Sequence, residues 1–246
     1  MAVKWGLVSK NVCDLVIPPR KERFNIKPLT EEEAQTFLAV IHGHKWEALF
    51  TLALATGMRR GELIGLKWQD INFKTGMLQV VRVLMRVPTK MPERKHVYVE
   101  AEPKTKESRR SVLVAPFALE ALKAHRVRQL EAKLKAGSSW QEHDYVFCTL
   151  HGTHLNPNHI VDEFKKLLNQ AGLPNIRFHD LRHSAASLLL SLGVHPKVVQ
   201  ELLGHTQISI TMDVYSHLLP GMRKDAMSKL DEALKRQEGD EKKESS

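Results

Sequence analysis

The feature that most constrains the fold is a stretch of β-branched sequence, residues 77–114, that lies between two longer stretches with helical periodicity. Three runs within it have the composition of short strands: 77–87, 96–100 and 111–114. Residues 88–95 form a predicted loop, and residues 103–108 form a predicted tight turn that joins the last two strands. So few strands make only a small sheet, and the chain is predicted to be mainly α-helical with a small β-sheet.

Helices are predicted on both sides of this stretch. Thr30 and Glu33 have the spacing of a capping box, which predicts a helix over 31–41. Gly57 is predicted to end the next helix, 45–56, because glycine readily adopts the left-handed conformation that terminates helices. The other predicted helices are 60–66, 117–136, 158–171, 179–192, 197–203, 208–215 and 222–236.

The charge balance and the cysteine count narrow the possible function classes. The 246 residues include 37 Lys and Arg against 28 Asp and Glu, and the net charge of +9 favours a polyanionic partner. Cys13 and Cys148 are the only cysteines, which excludes a disulfide framework and a multi-cysteine zinc site and fits a reducing cytoplasm. No apolar run approaches the roughly 18 residues of a membrane span.

A basic segment broken by prolines, residues 17–23, predicts a domain boundary near the N-terminus. Residues 1–28 are therefore expected to be the end of an absent upstream domain and its linker. Residues 29–237 are expected to form one domain, and residues 238–246 are expected to be a flexible polar tail.

Two arginine motifs are the first candidates for function. Arg59 follows Gly57 and precedes Gly61 and Glu62, which presents it at a junction between two helices; taken alone, a surface arginine paired with Glu62 explains it better. In the second motif, His179, Arg182 and His183 share one helix face because they lie three and four residues apart.

The His-Arg-His face suits the binding of an anion, because a guanidinium donates two parallel hydrogen bonds to phosphate oxygens. The spacing of His179 and His183 is also that of a zinc-binding helix. Asp180, however, stands where that motif has its general-base glutamate, and Arg182 places a cation beside the metal. A solvated face without function is the third interpretation.

Three further candidates are weak individually. Lys104 lies in a predicted turn, where a solvated charge is the usual explanation. His205 follows Gly204 at the predicted end of a helix. Tyr215 lies ten residues further along, on the next predicted helix, where core packing is the simplest interpretation of a lone tyrosine.

In order and spacing, the motifs together closely resemble the tyrosine recombinase (phage integrase) family. The matching segments are A-T-G-M-R-R-G-E-L at 55–63, P-K-T-K-E-S-R-R at 103–110, H-D-L-R-H at 179–183, L-G-H at 203–205, and Tyr215. The resemblance covers about 29–227. It implies a catalytic domain that is mainly α with a small antiparallel β-sheet (α+β), with the 103–110 motif in a β-hairpin, and it implies that residues 1–28 end an N-terminal core-binding domain.

The resemblance also implies catalytic roles. Arg59 and Arg182 would hold the non-bridging oxygens of the scissile phosphate, and His205 would donate a third hydrogen bond to that phosphate. Lys104 would act as general acid for the departing 5′-hydroxyl. Tyr215 would attack phosphorus and form a 3′-phosphotyrosine.

Two more residues would support this chemistry: His179 would orient or relay a proton near the nucleophile, and Glu62 would brace the arginine junction. A phenol has a pKa near 10, so it needs neighbouring cations or a proton acceptor. Guanidiniums and imidazoles stabilise the charge that gathers on phosphorus oxygens in the transition state. Neither a cofactor nor a metal is expected.

The sequence therefore predicts a site-specific DNA recombinase, most simply one that integrates or excises a mobile element. Three alternatives stay open: DNA relaxation of the type IB topoisomerase kind, a DNA-binding module without catalysis, and a metal-dependent hydrolase that uses His179, His183 and His205. The predicted partner is double-stranded DNA, and no membrane association is expected. The expected location is the cytoplasm, at the nucleoid.

The predicted last helix carries one apolar stripe, formed by Met222, Ala226, Met227, Leu230, Ala233 and Leu234. The stripe packs on its own domain or, as the resemblance implies, docks into a neighbouring protomer. With the second interpretation, the free chain is expected to be a monomer and to form a homotetramer on DNA.

Overall fold

The computed structural model describes residues 3, 5–16, 27–89, 96–103, 109–204, 227, 228, 230–232 and 234. Its numbered helices are α1 (Glu31–Ile41), α2 (Glu47–Thr56), α3 (Arg60–Ile64), α4 (Pro116–Ala136), α5 (Pro157–Gln170), α6 (Asp180–Ser191) and α7 (Pro196–Leu203). Its strands are β1 (Ile71–Asn72), β2 (Met77–Val80), β3 (Val83–Pro88), β4 (His96–Ala101) and β5 (Arg110–Leu113). The predicted fold class, mainly α with small antiparallel β-structure, is confirmed.

The helix boundaries follow the local signals in the sequence. Thr30 Oγ1 accepts a hydrogen bond from the Glu33 amide, and a Glu33 carboxylate oxygen accepts one from the Thr30 amide at 2.9 Å, so the predicted capping box forms. Gly57 ends α2 with φ of 59°. Eight of the ten residues of α2 are buried, and α2 packs against α4 and α6 at the centre of the domain.

Aromatic side chains from three helices build the middle of this core. The ring centroids of Phe37 and Phe50 are 6.0 Å apart, and the ring of Phe164 lies 5.5 Å from each of them. All three side chains are fully buried. The Leu29 amide donates a hydrogen bond to Ser184 Oγ at 2.9 Å, which ties the beginning of the domain to α6.

The β-structure forms two sheets, which corrects one prediction. β2 pairs with β1 and β5 in a three-stranded antiparallel sheet, whereas β3 pairs with β4 in a two-stranded one. The predicted run 77–87 is therefore two strands, and the predicted hairpin of the last two strands is wrong because β4 and β5 belong to different sheets. At the break between the two sheets, Arg82 forms ion pairs with Asp70 and Glu100.

Some predicted elements lie outside the described residues: the helix 208–215, the tail 238–246 and the turn 104–108. Of the predicted helix 222–236, the six described residues are helical, and Met227, Leu230 and Leu234 are exposed. Among the described parts of the chain, no helix is both long and apolar enough to cross a membrane.

Candidate active site

The junction between α2 and α3 positions the first site residue. Gly57 has a left-handed backbone, and a Cβ at this position would lie 2.3 Å from Leu203 Cδ2, so α7 packs directly on the glycine. Two residues later, Arg59 is the N-cap of α3, and its side chain is 39% exposed. The junction therefore presents Arg59 at the surface while its backbone is fixed by packing.

Arg182 reaches the same junction from the first turns of α6. It is only 3% exposed, and its Nη1 donates a hydrogen bond to the Gly57 carbonyl oxygen at 2.7 Å. Burial, followed by the positive charges of Arg59 and Arg110, lowers the pKa of Arg182 to about 9. This pKa still lies above neutral pH, so Arg182 keeps its charge at the junction where Arg59 also lies.

Glu62 joins Arg59 to a third arginine, Arg110. Its carboxylate accepts hydrogen bonds from the Arg59 amide and from Arg59 Nη1, both at 2.9 Å. Arg110, the first residue of β5, donates to both oxygens of the same carboxylate at 3.3 and 3.0 Å. Burial raises the pKa of Glu62, but the contacts with Arg110 and Arg59 outweigh burial and hold that pKa below its ordinary value.

Arg110 is a site residue that the sequence did not predict. It is the second arginine of the 103–110 motif, and that motif membership was the only signal for it. Its partner Glu62 lies 48 residues away in the sequence, so the contact does not follow from local spacing.

The C-terminal end of α7 completes the described part of the site. Arg59 Nη2 donates to the Gly204 carbonyl oxygen at 3.4 Å, and Arg110 Nε donates to the Leu202 carbonyl oxygen at 3.2 Å. Gly204 has φ of +66°, and a Cβ there would lie 2.8 Å from Arg110 Cδ. The residue that precedes His205 is thus in contact with Arg59.

His179 and His183 lie beside Arg182, as their spacing predicted. His179 is the N-cap of α6 rather than a residue within it, and its ring centroid is 5.5 Å from that of His183. Asp180 forms an ion pair with Arg177. The Asp180 carboxylate accepts hydrogen bonds from the Arg177 amide at 2.9 Å and from Arg177 Nη2 at 2.8 Å. Within the described ranges, no group of three or more His, Cys, Asp or Glu is arranged to hold a metal ion.

Lys104, His205 and Tyr215 lie outside the described residues. The chain's other two tyrosines are engaged elsewhere. Tyr145 is 7% exposed and donates a hydrogen bond to Glu100 at 2.6 Å; burial and this contact raise the pKa of its phenol. The ring of Tyr98 packs on His154 with centroids 4.3 Å apart.

The arrangement is suited to binding an anion. Arg59 and Arg110 pair with the Glu62 carboxylate, and Arg182 adds a third guanidinium at the same junction, so the cluster keeps a net positive charge, and Arg59 is accessible from solvent. Arginines in such a fixed array bind phosphate oxygens and stabilise charge that develops on them.

The buried His183 imidazole predicts how stability depends on pH. Burial lowers the pKa of His183 below its ordinary value of 6.5, whereas His179 is exposed and its contribution is screened by solvent. The His183 ring therefore binds a proton more readily in the unfolded chain. The free energy of unfolding is expected to be undiminished above pH 6.5 and to fall as the pH drops through the folded-state pKa, by at most about 1.4 kcal/mol per pH unit for this ring.

Urea unfolding at pH 7.5, 6.5 and 5.5 measures this dependence. His183→Gln is expected to reduce the decrease, whereas His143→Gln, at an exposed residue, serves as the control and is expected to leave it unchanged. An equal decrease in the His183→Gln variant and the parent would contradict the assignment.

Comparisons with known proteins agree with the architecture. The model of the phage integrase family matches residues 27–221. A tyrosine recombinase XerC-like protein of Caldanaerobacter subterraneus subsp. tengcongensis is 40% identical over 242 residues, which cover 94% of this chain and 62% of that protein. The ICEBs1 integrase of Bacillus subtilis is 29% identical over 95% of this chain and 62% of its own length.

Among solved structures, the Tn1549 transposon integrase in complex with transposon right end DNA has the same fold, with a TM-score of 0.66 at 22% identity. The alignment covers 84% of this chain and 65% of that chain. The chain spans 62% of the length of both curated relatives. With four-fifths of its residues matched by the family model, the chain belongs to the phage integrase family.

Proposed function

We propose that the chain is the catalytic part of a site-specific DNA recombinase, which cleaves and rejoins strands through a covalent 3′-phosphotyrosine and most simply integrates or excises a mobile element. The observation that carries the proposal is the convergence of Arg59 and Arg182 on the α2–α3 junction, with Glu62 between Arg59 and Arg110. This array fits the scissile phosphate, because two guanidiniums complement its two non-bridging oxygens.

Double-stranded DNA is the proposed substrate. The net charge of +9 supplies phosphate contacts, and the Tn1549 integrase of similar fold was solved with DNA bound. Relatives named integrase favour the integration or excision of a mobile element over the relaxation of DNA. Such an enzyme acts on the nucleoid, in the cytoplasm.

The remaining catalytic roles are proposed by family membership. Tyr215 is the nucleophile, His205 donates to the phosphate, His179 assists near the nucleophile, and Lys104 protonates the leaving 5′-hydroxyl. The contact of Arg59 with Gly204 supports the role of His205, since it places the preceding peptide group at the arginine junction. The engagement of Tyr98 and Tyr145 elsewhere supports the choice of Tyr215 as the nucleophile.

Assembly into a tetramer on DNA is proposed from the C-terminal segment. Met227, Leu230 and Leu234 are spaced three and four residues apart, as on one helix face, and they are 62%, 50% and 60% exposed. A second copy of the chain is the proposed cover for this face. The small size of the face fits a chain that is monomeric when free and assembles on DNA.

A covalent-adduct experiment tests the proposed reaction. The chain is incubated in EDTA with a pool of nicked suicide duplexes that tile the DNA on both sides of its own reading frame, and adducts are resolved on a denaturing gel. We expect one duplex to yield a protein–DNA adduct whose DNA ends in a 3′-phosphotyrosine. Binding without any adduct would favour a DNA-binding module, and cleavage only after Zn²⁺ or Mg²⁺ is restored would favour a metal-dependent hydrolase. Adducts formed without sequence preference would favour topoisomerase-like relaxation.

A further inference from the structure

Arg110 links three parts of the candidate site and is itself buried. Its side chain is 6% exposed, whereas that of Arg59 is 39% exposed. A DNA phosphate can therefore approach Arg59, while Arg110 stays within the protein. The arginines thus differ in what they are able to touch, although both bind the same carboxylate.

The contacts of Arg110 span the domain. Its two terminal nitrogens donate to both oxygens of Glu62, and its Nε donates to the Leu202 carbonyl oxygen at the end of α7. Its side chain also packs on Gly204 so closely that a Cβ there would lie 2.8 Å from Cδ and 3.0 Å from Nε. One side chain on β5 therefore fixes α3 and the end of α7 relative to each other.

The buried charge of Glu62 determines how the loss of Arg110 would affect Arg59. The Glu62 side chain is 1% exposed, so water does not compensate its charge, and its two cationic partners are Arg59 and Arg110. Without Arg110, Arg59 alone would have to neutralise a buried carboxylate. An uncompensated buried charge attracts the remaining cation strongly, and the guanidinium of Arg59 would be held against Glu62.

We propose that Arg110 is a positioning residue for strand cleavage: it neutralises Glu62, so that Arg59 remains directed to the scissile phosphate, and it holds the Gly204 turn against Arg59. The proposal rests on the proposed function. Displacement of a catalytic group by about 1 Å lowers rates by roughly 10²-fold, and Arg110 fixes the position of one such group.

Single-turnover adduct formation tests this role, with the suicide duplex that the parent chain cleaves. Arg110→Met is expected to slow adduct formation by about 10²-fold, with the dissociation constant for the same duplex changed by less than about threefold. Arg109→Met is the matched control, because the neighbouring Arg109 is 52% exposed and pairs with the exposed Glu102. Its rate is expected to stay within about threefold of the parent.

Two further variants separate positioning from support of the fold. Arg110→Lys keeps the positive charge and is expected to recover about tenfold of the lost rate. The double variant Glu62→Gln with Arg110→Met removes both buried charges, and it is expected to form adduct about tenfold faster than Arg110→Met alone. Should Arg110→Met not fold, the double variant serves in its place, and its rate is expected to exceed that of Glu62→Ala, in which Arg110 loses its partner.

The outcomes are distinct. A parent rate in Arg110→Met overturns the role of Arg110. The role is also overturned if the double variant folds but forms adduct no faster than the variant with which it is compared. Only neutralisation of Glu62 by Arg110 predicts that removal of both charges restores part of the rate. Absence of adduct with the parent chain on every duplex counts against the proposed function instead.

Discussion

Tyr215→Phe is expected to abolish the covalent protein–DNA adduct while DNA binding is retained. In the proposed reaction the hydroxyl oxygen of Tyr215 is the atom that bonds to phosphorus, and phenylalanine lacks this oxygen but keeps the ring. Removal of a catalytic nucleophile typically lowers rates by roughly 10⁴-fold or more. Adduct formation on the nicked suicide duplex and gel-shift affinity for the same duplex measure the two properties separately.

Tyr145→Phe is the matched control for this substitution. Tyr145 donates to Glu100, and burial together with that contact raises the pKa of its phenol, which disfavours the phenolate. The variant loses one hydrogen bond, at a cost of about 1 kcal/mol of stability, and is expected to form adduct at nearly the parent rate. An adduct that persists in Tyr215→Phe and disappears in Tyr145→Phe would reverse the assignment.

The parts of the fold that the sequence predicted well are those set by local chemistry. The helix start after Thr30 and the helix end at Gly57 depend on side chains and backbone angles within a few residues. The division of the β-strands into two sheets is set instead by pairing between distant strands, since Met77 pairs with Leu113 and Val80 with Arg110. A composition pattern does not contain that information, so the continuous strand and the hairpin were wrong.

The candidate site likewise combines features that local spacing predicts with contacts between residues that are distant in the sequence. The pairing of Arg59 with Glu62 and the grouping of His179, Arg182 and His183 follow from helical spacing, and the structure contains both. The contact between Arg182 and Gly57 joins residues 125 apart, and the contact of Arg110 with Leu202 joins residues 92 apart. These contacts exist only once α2, α6, α7 and β5 have packed together. The catalytic roles of all six site residues stay predictions: Arg59, Lys104, His179, Arg182, His205 and Tyr215.

Arg182→Met is expected to lower the rate of adduct formation by about 10²–10³-fold, the usual effect of removing one donor to a developing oxyanion. The same variant is expected to unfold at a temperature no lower than the parent. The lowered pKa of Arg182 shows that its charged form is less stable in the folded protein than in water, owing first to burial and then to Arg59 and Arg110. Methionine fills a similar volume without a charge, which offsets the lost hydrogen bond to Gly57.

Sulfate, a tetrahedral oxyanion like the phosphate, provides an independent test of whether Arg182 binds the phosphate. An anion at Arg59 and Arg182 compensates the buried charge, so the parent chain is expected to gain stability with sulfate, by about 2.7 kcal/mol at a concentration of 100 times the dissociation constant. Arg182→Met is expected to gain much less in calorimetry at equal ionic strength, with chloride as the reference. A large loss of stability in the variant without sulfate, or an undiminished response to sulfate, would mean that Arg182 supports the fold and does not bind the phosphate. A stable, inactive and sulfate-insensitive variant would instead show that the protein keeps a costly buried cation because the phosphate requires it.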